Sequence, residues 1–218
     1  MEAVDSSARC ARRCKLLLSL TLTASCAAAC QPSVVLPAAF RFEGLTPSAI
    51  AVVSERLGAP LTAADLQGIE SVARQELDVA FRHTRLEFTD SRTPVYRVRV
   101  IPQLAGRLFP AAGESRSFGG SRGDGVVNFN TVALSAVAFA ADITDRAALL
   151  QAIGRGVGRT AVHEFAHQIL GPSEMDHTAD RLTYEHGDLR AEHFFATLHW
   201  GPAAEPLQRR IGLTGGRR

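Results

Sequence analysis

Residues 158–177 read GRTAVHEFAHQILGPSEMDH, and within them HEFAH runs from His163 to His167. Two imidazoles four residues apart on a helix share one face, with Cβ atoms about 5–6 Å apart. Both can then reach a single zinc ion at about 2.0–2.1 Å. Glu164 points roughly 100° round the helix from His163. It stands beside such a metal without competing for it, placed to take a proton from an attacking water and return it to a leaving amine. The pentapeptide therefore holds two ligands and a general base. A catalytic zinc takes three protein ligands, so the third must come from another part of the chain.

These residues need a helix, and the chain supplies one over Arg146 to Leu170. Ala161, Val162, Phe165, Ala166 and Ile169 bury its other faces, and Asp142 or Thr144 is expected to cap its start. Gly154, Gly156 and Gly158 fit neither a dinucleotide fingerprint nor a phosphate loop. They are expected to allow close packing on a sheet, or to break the helix. Gly171 and Pro172 end it.

Other elements must carry this helix. PSAIAVVSERLG predicts a short helix stopped by Gly58. Residues 62–81 predict a long one, with Thr62 as N-cap and Leu66, Ile69, Val72, Ala73, Leu77 and Ala80 on one face. Residues 95–101 predict a strand with one buried face, and 113–125 a glycine-rich loop. GVVNFNTVAL predicts a further strand, 125–132, running into a loop or short helix. Residues 173–218 predict loops and short helices, one of them in LRAEHFFATLHW, with Trp200 as a core anchor.

With HEFAH in this order of elements, the chain resembles the zincin zinc metallopeptidases, and among them the metzincins, over about residues 60–177. The resemblance implies an α+β fold: a twisted mixed sheet, two long helices, one carrying HExxH, and a small C-terminal lobe. It implies Zn2+ as cofactor and hydrolysis of a peptide or protein substrate laid along the 125–132 edge, with Glu164 as general base. The family returns a third histidine just after the helix. Leu170 stands at its glycine position and Ser173 at its third-histidine position. His177 is the next histidine and leads as third ligand, with Asp176 and Asp180 as alternatives. Thermolysin-like enzymes take a glutamate from the following helix instead, and Glu185 and Glu192 fall near that distance. The family's methionine turn follows its third histidine, whereas Met175 precedes His177. Tyr184 is a candidate donor to a developing oxyanion, and His186, His193 and His199 are candidates for orienting other groups. The alternative is an inactive domain of this build that binds a peptide or protein partner.

A chain of 218 residues with 46% apolar residues can bury a core unaided. Its net charge of +2, without a basic stripe, gives no reason to expect nucleic acid. Its four cysteines, Cys10, Cys14, Cys26 and Cys30, all lie in the first thirty residues. There, arginines and Lys15 precede the apolar run LLLSLTLTA, and small residues follow. That pattern is an export signal, and the run is too short to span a membrane. Ala-Ala-Ala-Cys resembles a bacterial lipobox, which would lipidate Cys30, or Cys26 as second choice. Ala27 in place of the usual leucine keeps plain secretion open. The expected organisation is a signal over 1–30, a tether and domain entry over 31–60, and a monomeric metallopeptidase-like domain over 61–218. The expected location is the bacterial cell envelope, on the periplasmic or outer-membrane side.

Overall fold

The computed structural model describes residues 34–89, 93–103, 111–140, 142–172 and 174–212. The residues expected to form an export signal, and Cys30, the expected lipidation site, lie outside them. Among the described residues, no helix is long and apolar enough to cross a membrane.

Five strands form a mixed sheet: β1 (Leu36–Phe42), β2 (Leu86–Phe88), β3 (Tyr96–Ile101), β4 (Gly113–Ser117) and β5 (Gly123–Asn128). Their order is β2-β1-β3-β5-β4, parallel except for β4, which runs antiparallel to β5 at one edge. Tyr96, Val98 and Val100 are buried on one face of β3. Arg97 and Arg99 alternate with them and pair with Asp124 of β5 at 2.6 and 3.5 Å. A helical layer covers the apolar face. It contains α2 (Ala63–Ala80) and α4 (Arg146–Leu170), packed along each other.

Residues 36–60, expected to belong to a tether and domain entry, hold β1 and the short helix α1 (Ala51–Arg56). β1 lies between β2 and β3, so residues 36–42 belong to the sheet. The two long helices match their expected spans. Thr62 caps α2 in a reciprocal box with Asp65, a contact worth about 1 kcal/mol. Asp145 caps α4, accepting from the backbone of Ala147 and Ala148, in place of the expected Asp142 or Thr144.

The three glycines of α4 do not break it, and they face other helices rather than the sheet. A Cβ at Gly154 would meet Val72 at 2.7 Å, and one at Gly158 would meet the Ala73 carbonyl at 2.6 Å, both on α2. A Cβ at Gly156 would strike the Phe194 ring at 2.4 Å, on α5 (Ala191–Phe195). Gln168 performs the corresponding service toward the sheet. Its side-chain amide donates to the Arg97 carbonyl (3.0 Å) and accepts from the Arg97 N–H (3.2 Å), over the Cβ-less Gly123 and Gly125.

The segment expected as an edge strand at 125–132 divides in two. Its first half is the end of β5, interior to the sheet, and its second half starts α3 (Phe129–Phe139), capped by Asn128. The edge is β4, in the stretch expected to be a glycine-rich loop. The C-terminal region packs on α4 with α5, whose Phe194 meets Gly156 in the middle of that helix, and with α6 (Ala204–Ile211). Trp200 anchors it as expected: its indole donates to the Ala80 carbonyl at 2.8 Å and stacks near Phe81 and Tyr184.

Candidate metal centre

Helix α4 presents His163 and His167 on one side, and Gly171 ends it with φ of 75°. That positive φ suits glycine alone among ordinary residues. The chain then turns back. Met175 is buried in the core, and Glu174 pairs with Arg210 of α6 at 2.9 Å. This turn brings His177 to the helix. Its Nε2 lies 3.2 Å from Nε2 of His163 and 3.2 Å from Nε2 of His167, which are themselves 3.0 Å apart.

A triangle of ring nitrogens cannot be joined on every side by straight N–H···N bonds. His163 narrows the possibilities. Its Nδ1 lies 2.7 Å from the Tyr184 carbonyl, which can only accept, so Nδ1 carries the proton. Nε2 of the neutral ring is then a bare lone pair aimed at the other two imidazoles. Burial, followed by the charge His167 would carry, lowers the His163 pKa to about 3. Burial and His177 lower that of His167 to about 4. Both rings are therefore neutral at pH 7 and able to donate lone pairs. Nitrogens bound to one tetrahedral zinc at about 2.0–2.1 Å stand about 3.4 Å apart. The observed triangle is close to that size, so His163, His167 and His177 fit a zinc ion. His177 is exposed, which opens the group to a cleft of about 650 Å³.

Glu164 lines the same cleft and is 5% exposed. Burial raises its pKa to about 7; a hydrogen bond from the Ser115 side chain works against this, and the Glu114 charge adds to it. Gly113 makes room for the carboxylate. A Cβ there would lie 2.3 Å from Glu164 Oε1, the free end of a flexible side chain. Gly113→Ala should therefore turn Glu164 aside without unfolding the protein. In a hydrolytic site, a displacement of about 1 Å in the base costs about 10²-fold in kcat. The check is kcat measured beside zinc content and thermal melting; an unchanged kcat contradicts this role for Gly113.

The other candidate residues are dispersed. Asp180 accepts from the Leu182 N–H at 2.9 Å in a surface turn, and Asp176 is exposed beside His177. Glu192 faces Arg181 at 3.7 Å. Glu185 is fully buried and accepts from the backbone of Gly201 and Ala203. None of these carboxylates joins the histidine triangle. Tyr184 contributes its carbonyl rather than its phenol. Its ring packs 4.9 Å from that of Trp200, burial raises its pKa to about 12, and it is not among the cleft-lining residues. The expected role as oxyanion donor does not suit that position. His186 and His193 do line the cleft, whereas His199 joins the Thr183 backbone in an isolated bridge. Burial lowers the His193 pKa to about 4, the Gly156 carbonyl opposing and Arg159 reinforcing. The Thr160 hydroxyl donates to that same carbonyl at 2.9 Å and lies 3.2 Å from His193 Nε2.

Sequence reasoning missed Gly113, Ser115 and Gly187. A Cβ at Gly187 would lie 3.0 Å from Nδ1 of His177, so its backbone backs that ring. Ser115 is signalled only once β4 is known to be a strand, since Gly113 and Ser115 are then two apart on one face.

No protein-family model matches the chain, and no curated protein does. Among solved structures, the chain is similar to an archaemetzincin from Methanopyrus kandleri, at 17% identity over 83% of this chain and 97% of that one, with a TM-score of 0.43. It is also similar to a zinc-dependent peptidase from Methanocorpusculum labreanum, at 13% identity over 78% of this chain and 99% of that one, with a TM-score of 0.38. At these values neither likeness bears on the chemistry of the site.

Proposed function

We propose that this protein is a zinc-dependent peptidase. The observation that carries the reading is the triangle of three Nε2 atoms, 3.0–3.2 Å apart, opening into a cleft that also holds the buried carboxylate of Glu164. His163, His167 and His177 would hold the ion. Bound zinc supplies a Lewis acid for a carbonyl oxygen and acidifies water.

The chain's own residues do the rest. Glu164, buried at the wall of the cleft beside the ligands, is placed to accept a proton from the attacking water and deliver it to the leaving amine. Ser115 and the bare Cα of Gly113 fix where that carboxylate points. An extended peptide would pair with the outer edge of β4, whose residues line the cleft, and not with the 125–132 segment. The sequence signals at residues 9–30 would put this cleft outside the cytoplasm, held to a membrane through Cys30 or released.

Chelation should abolish cleavage of a disordered protein substrate, and one equivalent of zinc should restore it. Cleavage that survives metal removal, or a zinc-loaded protein that cuts none of a diverse peptide mixture, would overturn the proposal.

A further inference from the structure

Two of the three imidazoles are oriented by one short segment, Tyr184 to Gly187. The Tyr184 carbonyl accepts from Nδ1 of His163 at 2.7 Å. The Gly187 backbone lies against the His177 ring. Between them, Nδ1 of His186 donates to the carbonyl of Thr178, the residue after His177, at 2.9 Å, and the two residues form an isolated bridge. A small shift of this segment would move both rings.

Glu185 secures the segment. Its side chain is fully buried and points away from the histidines, to the start of α6. Oε1 accepts from the Gly201 N–H at 2.9 Å and the Ala203 N–H at 2.8 Å. Ala203 is the N-cap residue of α6, a helix with no side-chain cap of its own. Acceptors are favoured there, because the first N–H groups of a helix lack partners and its dipole is positive. α6 is itself fixed in the core through Leu207 and Ile211. Oε2 has no partner among the described residues, so the carboxylate is held on one side only.

We propose that Glu185 is a positioning residue for the metal centre. It ties the 184–187 segment to the anchored end of α6, and thereby sets the directions of His163 and His177. The inference rests on the zinc reading above and adds a residue that never touches the metal. Loss of a group bonded directly to a ligand costs about 10–100-fold in metal affinity, and Glu185 acts through one such group, the Tyr184 carbonyl on His163.

The test compares Glu185→Ala, Glu185→Asp and Glu185→Gln with the wild type by zinc affinity in chelator competition and by the visible spectrum of the cobalt(II)-loaded protein. Ile50→Ala, a core truncation at the start of α1, away from α6, controls for general destabilisation. Glu185→Ala should weaken zinc about 10–100-fold and alter the cobalt bands. Glu185→Gln keeps an acceptor oxygen and should restore both. Glu185→Asp keeps the charge but shortens the tie by about 1.5 Å, and should shift the bands with the fold intact; it decides the matter if the alanine variant does not fold. Unchanged affinity and bands in the aspartate and alanine variants would overturn the proposal. So would an equal loss in Ile50→Ala at a matched drop in metal-free melting temperature. A wild type that takes up neither metal would overturn the zinc reading itself, and this inference with it.

Discussion

Glu164→Gln is expected to lower kcat by about 10²–10⁴-fold, the range for loss of a general acid–base, with zinc retained in full. The amide is nearly isosteric and fits beneath the bare Cα of Gly113, where the carboxylate now lies. It cannot accept a proton at neutral pH. Nothing in the histidine triangle depends on it: the Nε2 contacts and the Tyr184 carbonyl on His163 involve other atoms. Loss of turnover with intact metal content separates an enzyme from a binding domain of the same build. A Gln variant that cleaves at the wild-type rate would remove Glu164 from the chemistry.

Arg159→Ala should cost about 3–5 kcal/mol of folding free energy, the range for removing one partner of a buried pair. Arg159 is one turn before His163 but acts away from the metal. Its guanidinium binds both oxygens of Glu76 on α2, at 2.9 and 3.3 Å, and donates to the carbonyl of His193 in α5 at 3.0 Å. The side chains of Arg159 and Glu76 are 6% and 16% exposed. Alanine would therefore strand a buried carboxylate and unmoor α5 in one step. Arg209 offers the contrast: its pair with Glu205 is at 2.7 Å, but the side chains are 57% and 81% exposed, and its loss should cost under about 1 kcal/mol. Urea unfolding of the two variants gives the comparison. Equal losses would mean that water screens the Arg159 pair despite its burial. Zinc content per folded molecule should be unchanged in both.

The helices were legible because their signals are local. Thr62 with Asp65 is a complete start signal, Gly171 with Pro172 a complete stop, and the apolar positions between keep helical spacing. His163, Glu164 and His167 needed nothing more than that helix. The strands were harder. β4 reads GESRS, with polar side chains on both faces, and shows no alternation of apolar with polar residues. β5 carries Gly123 and Gly125 because Gln168 lies over them, and that cause is invisible until α4 and the sheet are seen together. β1 was masked by its neighbours: LPAAFRF carries Pro37 at its second position and continues a proline-spaced stretch.

The third imidazole was legible as a short list and no further. Spacing on a helix fixes direction, but a turn after Gly171 can end in many places. What selects His177 is tertiary: Met175 in the core, Glu174 on Arg210, and the Gly187 backbone against the ring. Glu185 shows the converse. Its distance from the helix along the chain suits a ligand, yet its carboxylate is turned to the start of α6. Tyr184 was singled out for its phenol, and its carbonyl is the group that meets the site.

The most direct test of the zinc centre is metal analysis of purified wild-type protein beside His177→Ala, Asp180→Ala and Glu192→Ala. The wild type, Asp180→Ala and Glu192→Ala should each carry one zinc per chain. His177→Ala should lose it while keeping its fold, because His177 is exposed and alanine there opens no core cavity. A wild type without zinc, or a His177→Ala protein that keeps zinc as tightly as the wild type, would contradict the three-histidine centre.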